Sequence, residues 1–91
     1  MRVKVKIFYP SLQQFINKQD LIQVDGSTVG ECLDNLIKQF PGAEKWIFDE
    51  KGRLLEHVFV FINAESAQKT DLSEPVKDGD ELIIAVMILG G

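Results

Sequence analysis

Cysteine is almost absent from this chain of 91 residues: Cys32 stands alone, as does His57. A single thiol forms no internal disulfide, and one thiol with one imidazole falls short of the four ligands of an ordinary zinc site. The four cysteines that hold an iron–sulfur cluster are missing too. Long apolar runs are also lacking. The longest, "LIIAVMIL", is far shorter than the ~20 residues that span a bilayer. The N-terminal "MRVKVKIFYP" alternates charged and apolar residues where a signal peptide has an unbroken apolar stretch. Positive charge is in deficit, and the formal net charge of −4 disfavours an unassisted grip on phosphate backbones or anionic lipid. The expectation is a soluble, cytoplasmic, monomeric protein that binds neither nucleic acid nor membrane. A partner met through charge is expected to be basic.

What is present reads as one domain over residues 1–91, long enough for a single modest core. "RVKVKIF" puts Val3, Val5 and Ile7 on one face and Arg2, Lys4 and Lys6 on the other, the period-two pattern of a half-buried strand. The lysines read as solubilising. "YPSLQQFINKQD" reads as a connection with at most a helical turn, "LIQV" as a second strand, and "DGS" as its end. Thr28 followed three residues later by Glu31 is the spacing of a capping box, hydroxyl to backbone N–H and carboxylate back to the cap. Beyond it Val29, Cys32, Leu33, Leu36, Ile37 and Phe40 recur at helical spacing, with Asp34, Asn35, Lys38 and Gln39 on the other side, until Pro41 and Gly42 stop the pattern.

A short helical turn at "AEKWIF", a reversal through Gly52, the strand "HVFVFIN", a polar stretch with at most one short edge strand, the turn "KDGD" and the strand "ELIIAVMIL" complete the chain. The order predicts an α+β roll, a mixed sheet of four to five strands with one main amphipathic helix on one face. The other face is left open, and it is the first place to expect a partner.

The pieces "VKVKIFYPSLQQFI", "VGECLDNLIKQFPG", "GRLLEHVFVFIN", "KDGDELII" and the closing "GG", in that order, resemble the MoaD/ThiS group of ubiquitin-like sulfur carriers over nearly the whole chain. The branch most resembled is the small subunit of molybdopterin synthase. The resemblance implies a β-grasp fold and a working group that is the terminal carboxylate of Gly91, on a flexible Gly-Gly tail. It implies adenylation there by a ubiquitin-activating-like adenylyltransferase using ATP and magnesium, conversion to a thiocarboxylate, and transfer of the sulfur to a MoaE-like synthase subunit. No cofactor or metal would be held by the chain itself. It would not be catalytic alone, though it could serve as a synthase small subunit.

The chemistry of the tail agrees. A carboxylate is a poor electrophile and needs a leaving group before sulfur can attack. Gly90 and Gly91 have no Cβ and can thread a narrow channel, and Met87, Ile88 and Leu89 would be desolvated in a partner groove. Phe59 and Phe61 alternate with Val58, Val60 and Ile62; with the latter set inward, the phenylalanines form either an interface patch or a surface covered by a loop. Asp78 and Asp80 are turn charges or groups that steer a basic partner, and both readings stay open. Cys32 reads as core, His57 as structural or solvent-facing, and Trp46 as a cover over one edge of the core.

One departure is plain. Members of the molybdopterin branch often carry proline shortly before the glycines, and "AVMILGG" has none. Delivery of sulfur for thiamine thiazole, cysteine or tRNA thiolation therefore stays open. So does a ubiquitin-like modifier joined to lysines, or a plain interaction module indifferent to Gly90 and Gly91.

Overall fold

In the computed structural model, residues 1–16, 21–63 and 71–86 are described. Strand β1 (Arg2–Phe8) is followed by a 3₁₀ turn (Pro10–Phe15), strand β2 (Leu21–Asp25) and helix α1 (Val29–Gln39). A second 3₁₀ turn (Pro41–Ala43), the short helix α2 (Glu44–Ile47), and strands β3 (Val58–Ile62) and β4 (Glu81–Val86) complete the order. The sheet runs β2-β1-β4-β3. β1 pairs antiparallel with β2 and parallel with β4, and β3 pairs antiparallel with β4. This is the mixed sheet and single main helix that the sequence pattern predicts.

The alternation in β1 does what its spacing requires: Val3, Val5 and Ile7 are buried and the residues between them exposed. They join Ile22 and Val24, Val58 and Val60, Leu82 and Ile84 in one core with Val29, Cys32, Leu33 and Leu36 of α1. Ile62 and Val86 pack half-buried against that core. Cys32 is fully buried, and burial together with the Glu31 charge pushes its thiol up. It is the small buried hydrophobe that its place on the helix suggests.

The start of α1 is held from two directions. Glu31 N–H donates to Thr28 Oγ1 at 3.1 Å, as a capping box has it. The carboxylate of Glu31 instead reaches one residue further back, accepting from Ser27 N–H at 3.0 Å and Ser27 Oγ at 2.8 Å. Ser27 at N′ thus gives both its N–H and its hydroxyl to one carboxylate oxygen. The loop before β4 covers the remaining amides: Val29 N–H donates to the Glu74 carbonyl and Gly30 N–H to the Leu72 carbonyl, each at 2.9 Å. A Cβ on Gly30 would sit 3.1 Å from that Leu72 oxygen, so an added methyl would push the loop back by a few tenths of an ångström. Thr28→Ala is therefore expected to cost about 1 kcal/mol, read as a lower denaturant midpoint.

The Ser27 bonds also hold the Glu31 carboxyl below the usual carboxylate range. A group depressed on folding contributes stability above its unfolded pKa and loses it as pH falls through the folded one. Acid unfolding of wild type should thus show a loss, from the ordinary glutamate range downward, that Glu31→Gln lacks.

β2 is an edge strand, and its outward carbonyls are covered from above. Asn35 Nδ2 donates to the Asp25 carbonyl and Gln39 Nε2 to the Gln23 carbonyl at 3.2 Å. Two amides one helical turn apart thus occupy backbone acceptors that would otherwise template strand addition.

Candidate functional site

β4 runs from a tightly tied turn to Val86, the last of the described residues. At the turn, Asp80 N–H donates to the Lys77 carbonyl at 3.0 Å, Lys77 N–H donates to Asp80 Oδ2 at 2.8 Å, and Gly79 takes φ +88°, which a glycine adopts at no steric cost. Arg2 N–H donates to Asp78 Oδ1 at 2.8 Å, and Gly79 N–H to the Arg2 carbonyl at 2.9 Å. Asn63, itself at φ +61°, accepts from Glu81 N–H at 3.0 Å and donates to Asp80 Oδ1 at 3.4 Å. The carboxylates of Asp78 and Asp80 therefore fasten the turn to β1 and to the end of β3. This is what launches β4 parallel to β1.

The C-terminal end of β4, its exit end in chain direction, lies roughly 17 Å from the turn at ~3.3 Å per residue. There Ala85 pairs with Phe8 of β1 and Phe59 of β3, and Val86 pairs with Val58. Of the residues predicted to work, Met87, Ile88, Leu89, Gly90 and Gly91 lie outside the described residues. The structure places Phe59 beside the exit and Phe61 one step further along the same face. It does not bring Asp78 and Asp80 to that end.

Phe59 and Phe61 are half-buried, and their rings stack with centroids 6.4 Å apart and planes 14° apart. They are not alone. Phe8, on the face of β1 that otherwise carries Arg2, Lys4 and Lys6, is 58% exposed, and Leu21 on β2 is 46% exposed. With half-buried Ile83 and Ala85, these side chains make the open sheet face apolar at the exit end, the kind of patch that marks an interface. Sequence reasoning missed Phe8, although a signal existed: it breaks the charged set of an otherwise strict alternation.

On the covered side of the sheet, Tyr9 is 5% exposed. Its hydroxyl lies 3.1 Å from His57 Nε2, with the two rings edge to face at 6.1 Å. Trp46 stands edge to face with Tyr9 at 6.4 Å. Burial raises the Tyr9 hydroxyl pKa, so it stays protonated and able to donate. His57 is thus solvent-exposed and structural at once, tying the end of β1 to the start of β3 across the end of β4. Among the described residues, no three His, Cys, Asp or Glu side chains cluster to hold a metal, and no helix is long and apolar enough to cross a membrane.

The profile of the ThiS family matches residues 6–91. The chain belongs to the ThiS family. Small archaeal modifier protein 1 of Haloferax volcanii is 38% identical over 71 residues, spanning 77% of this chain and 78% of that protein. Its crystal structure superposes with a TM-score of 0.84 at 29% identity over the whole of both chains. A chain of the BexX/CysO complex of Amycolatopsis orientalis gives 0.82 at 27%, covering 98% of this chain and 99% of that one. A putative molybdopterin converting factor subunit 1 from Pyrococcus furiosus gives 0.71 at 21%, over 97% and 99%, and shows the fold alone. The fold is the ubiquitin-like β-grasp, and the family is one of sulfur carriers and ubiquitin-like modifiers.

Proposed function

We propose that this ThiS-family chain is a carrier whose working atom group is the carboxylate of Gly91. The observation that carries the reading is the geometry of β4, a strand locked at Asp78–Asp80 and flanked by an apolar open face, together with a family match that runs to residue 91. In the reaction, a Gly91 carboxylate oxygen attacks the α-phosphorus of ATP, pyrophosphate leaves, and an acyl adenylate forms on the activating enzyme with magnesium. A sulfur nucleophile then attacks the acyl carbon and AMP departs, leaving a thiocarboxylate. On this reading the activating enzyme supplies the catalytic groups. The folded body supplies a recognition face and a terminus that fits a channel.

For the acceptor, the resemblance read from the sequence points to a molybdopterin synthase large subunit, which makes that subunit the first acceptor to assay. A second reading has its own support: the 38% identity is to a protein named as a modifier, so attachment of Gly91 to lysine amines uses the same adenylate with a nitrogen nucleophile.

Intact-mass spectrometry after incubation with ATP, magnesium, sulfide and the activating enzyme tests the carrier reading. A sulfur-for-oxygen exchange confined to Gly91 supports it. No change with an enzyme proven active on another carrier removes it, and Gly91-dependent high-mass conjugates in cell extract favour the modifier. Phe59→Asp should weaken binding to the activating enzyme at least ~30-fold, the size of a central apolar contact, with cooperative unfolding retained. Unchanged affinity would take Phe59 out of the interface.

A further inference from the structure

The open face carries three cations in a row along β1, and their surroundings differ. Arg2 lies opposite Asp25 in register, with its Nε 3.9 Å from Asp25 Oδ1. Lys4 lies between Gln23 and Glu81. Lys6 lies between Leu21 and Ile83, and Phe61 is next beyond Ile83. Phe8 stands beyond it on the same face of β1. The Arg2 row thus holds an ion pair and the Lys4 row a carboxylate as its neighbour in register. The row nearest the apolar exit end holds one exposed ammonium among hydrocarbon, and no ion pair engages Lys6 among the described residues.

Phe8, Leu21 and Phe61 gain by leaving water together, but a partner flat and apolar enough to cover them would strand the Lys6 charge in a dry interface. A charge so buried needs an opposite charge opposite it. We propose that the activating enzyme's docking surface is an apolar patch bearing a carboxylate that pairs with Lys6, and that this pair sets the register in which the exit end of β4 enters the enzyme. The inference rests on the carrier reading and adds the partner's chemistry to it. Seen whole, the chain is acidic and would favour a basic partner; at this spot it asks for an acidic group. Lys6 is a recognition residue on this account and not merely a solubilising one.

The test is ATP–pyrophosphate exchange with the cognate adenylyltransferase, varying the concentration of the full chain. Lys6→Glu should raise KM about 30-fold or more with kcat within about twofold, since like charges would then meet in the interface. Lys6→Met, which keeps the apolar stem, should raise it by about fivefold or more by leaving the enzyme carboxylate unpaired. Lys4→Met should stay within about twofold, Glu81 being its neighbour in register. The wild-type KM should rise with salt, and that dependence should flatten in Lys6→Met. Equal KM values for wild type and Lys6→Glu overturn the inference alone, whereas no exchange with the wild-type chain removes the carrier reading and this inference with it. A wild-type dimer in light scattering that Lys6→Glu dissociates would assign the face to a second copy and overturn it as well.

Discussion

Deletion of Gly91 is expected to abolish thiocarboxylate formation while leaving the melting temperature unchanged. The two halves of that result have separate causes. Every buried core residue among those described lies between Val3 and Ile84, so shortening the tail removes none of them. The chemistry suffers because one residue of extended chain spans ~3.3–3.6 Å, and misplacement of a reacting atom by ~1 Å can cost about 10²-fold. A carboxylate moved back to Gly90 stops several ångströms short of the phosphorus it must attack, and exchange should fall below detection. Gly90→Leu should reach the same endpoint by width: the terminus is present, but a side chain stands where the channel admits only backbone. Intact mass after full incubation reads both variants. A sulfur-for-oxygen exchange that survives deletion of Gly91 would place it on the new terminal carboxylate of Gly90 and overturn the argument from length.

The elements that carry their own periodicity were legible in the sequence. β1 could be read from three alternating apolar residues, α1 from six at helical spacing together with Thr28, and the turn at Gly79 from "KDGD". The core assignments of Cys32, Val58 and Val60 follow from those patterns, because a residue's face is a local property once the element is known. What stayed hidden depends on which elements become neighbours. The contact of Tyr9 with His57 joins residues 48 apart. The reach of Asn35 and Gln39 over β2, and the Glu74 and Leu72 carbonyls on the first amides of α1, likewise have no local signature. Asp78 and Phe59 are both partner candidates by sequence, and nothing local says at which end of β4 each lies. In space they belong to opposite ends of it. Lys4 and Lys6 looked equivalent as alternating charges, and only the register with β2 and β4 distinguishes them.

Gly26→Ala should destabilise the protein strongly through a direct steric clash. A Cβ at Gly26 would lie 2.8 Å from Cys32 N, 2.8 Å from Cys32 Sγ and 3.2 Å from Cys32 Cα. The sulfur can turn away, but the nitrogen cannot, because Cys32 N–H donates to the Thr28 carbonyl at 3.0 Å and closes the first turn of α1. Nor can residue 26 retreat easily, since its own N–H is bound to the Met1 carbonyl at 2.9 Å beside β1. The substitution sets the sheet edge against the helix start, with a cost of about 2–3 kcal/mol, the upper part of the overpacking range. In a domain of this size that lowers the melting temperature by roughly 10 °C or more. Unstrained replacement of glycine by alanine acts in the opposite direction, stabilising by about 0.4–1 kcal/mol through the unfolded chain, so the sign of the change decides between the two. Cys32→Ala supplies the second axis of a cycle. Removing Sγ relieves one of the two short contacts, so the double variant should be more stable than the sum of the single effects by about 0.5–2 kcal/mol. Recovery should remain partial, because the contact with the helix backbone persists. A Gly26→Ala chain as stable as wild type, or strictly additive with Cys32→Ala, would mean that β2 and α1 do not approach as closely at this point as the structure has them.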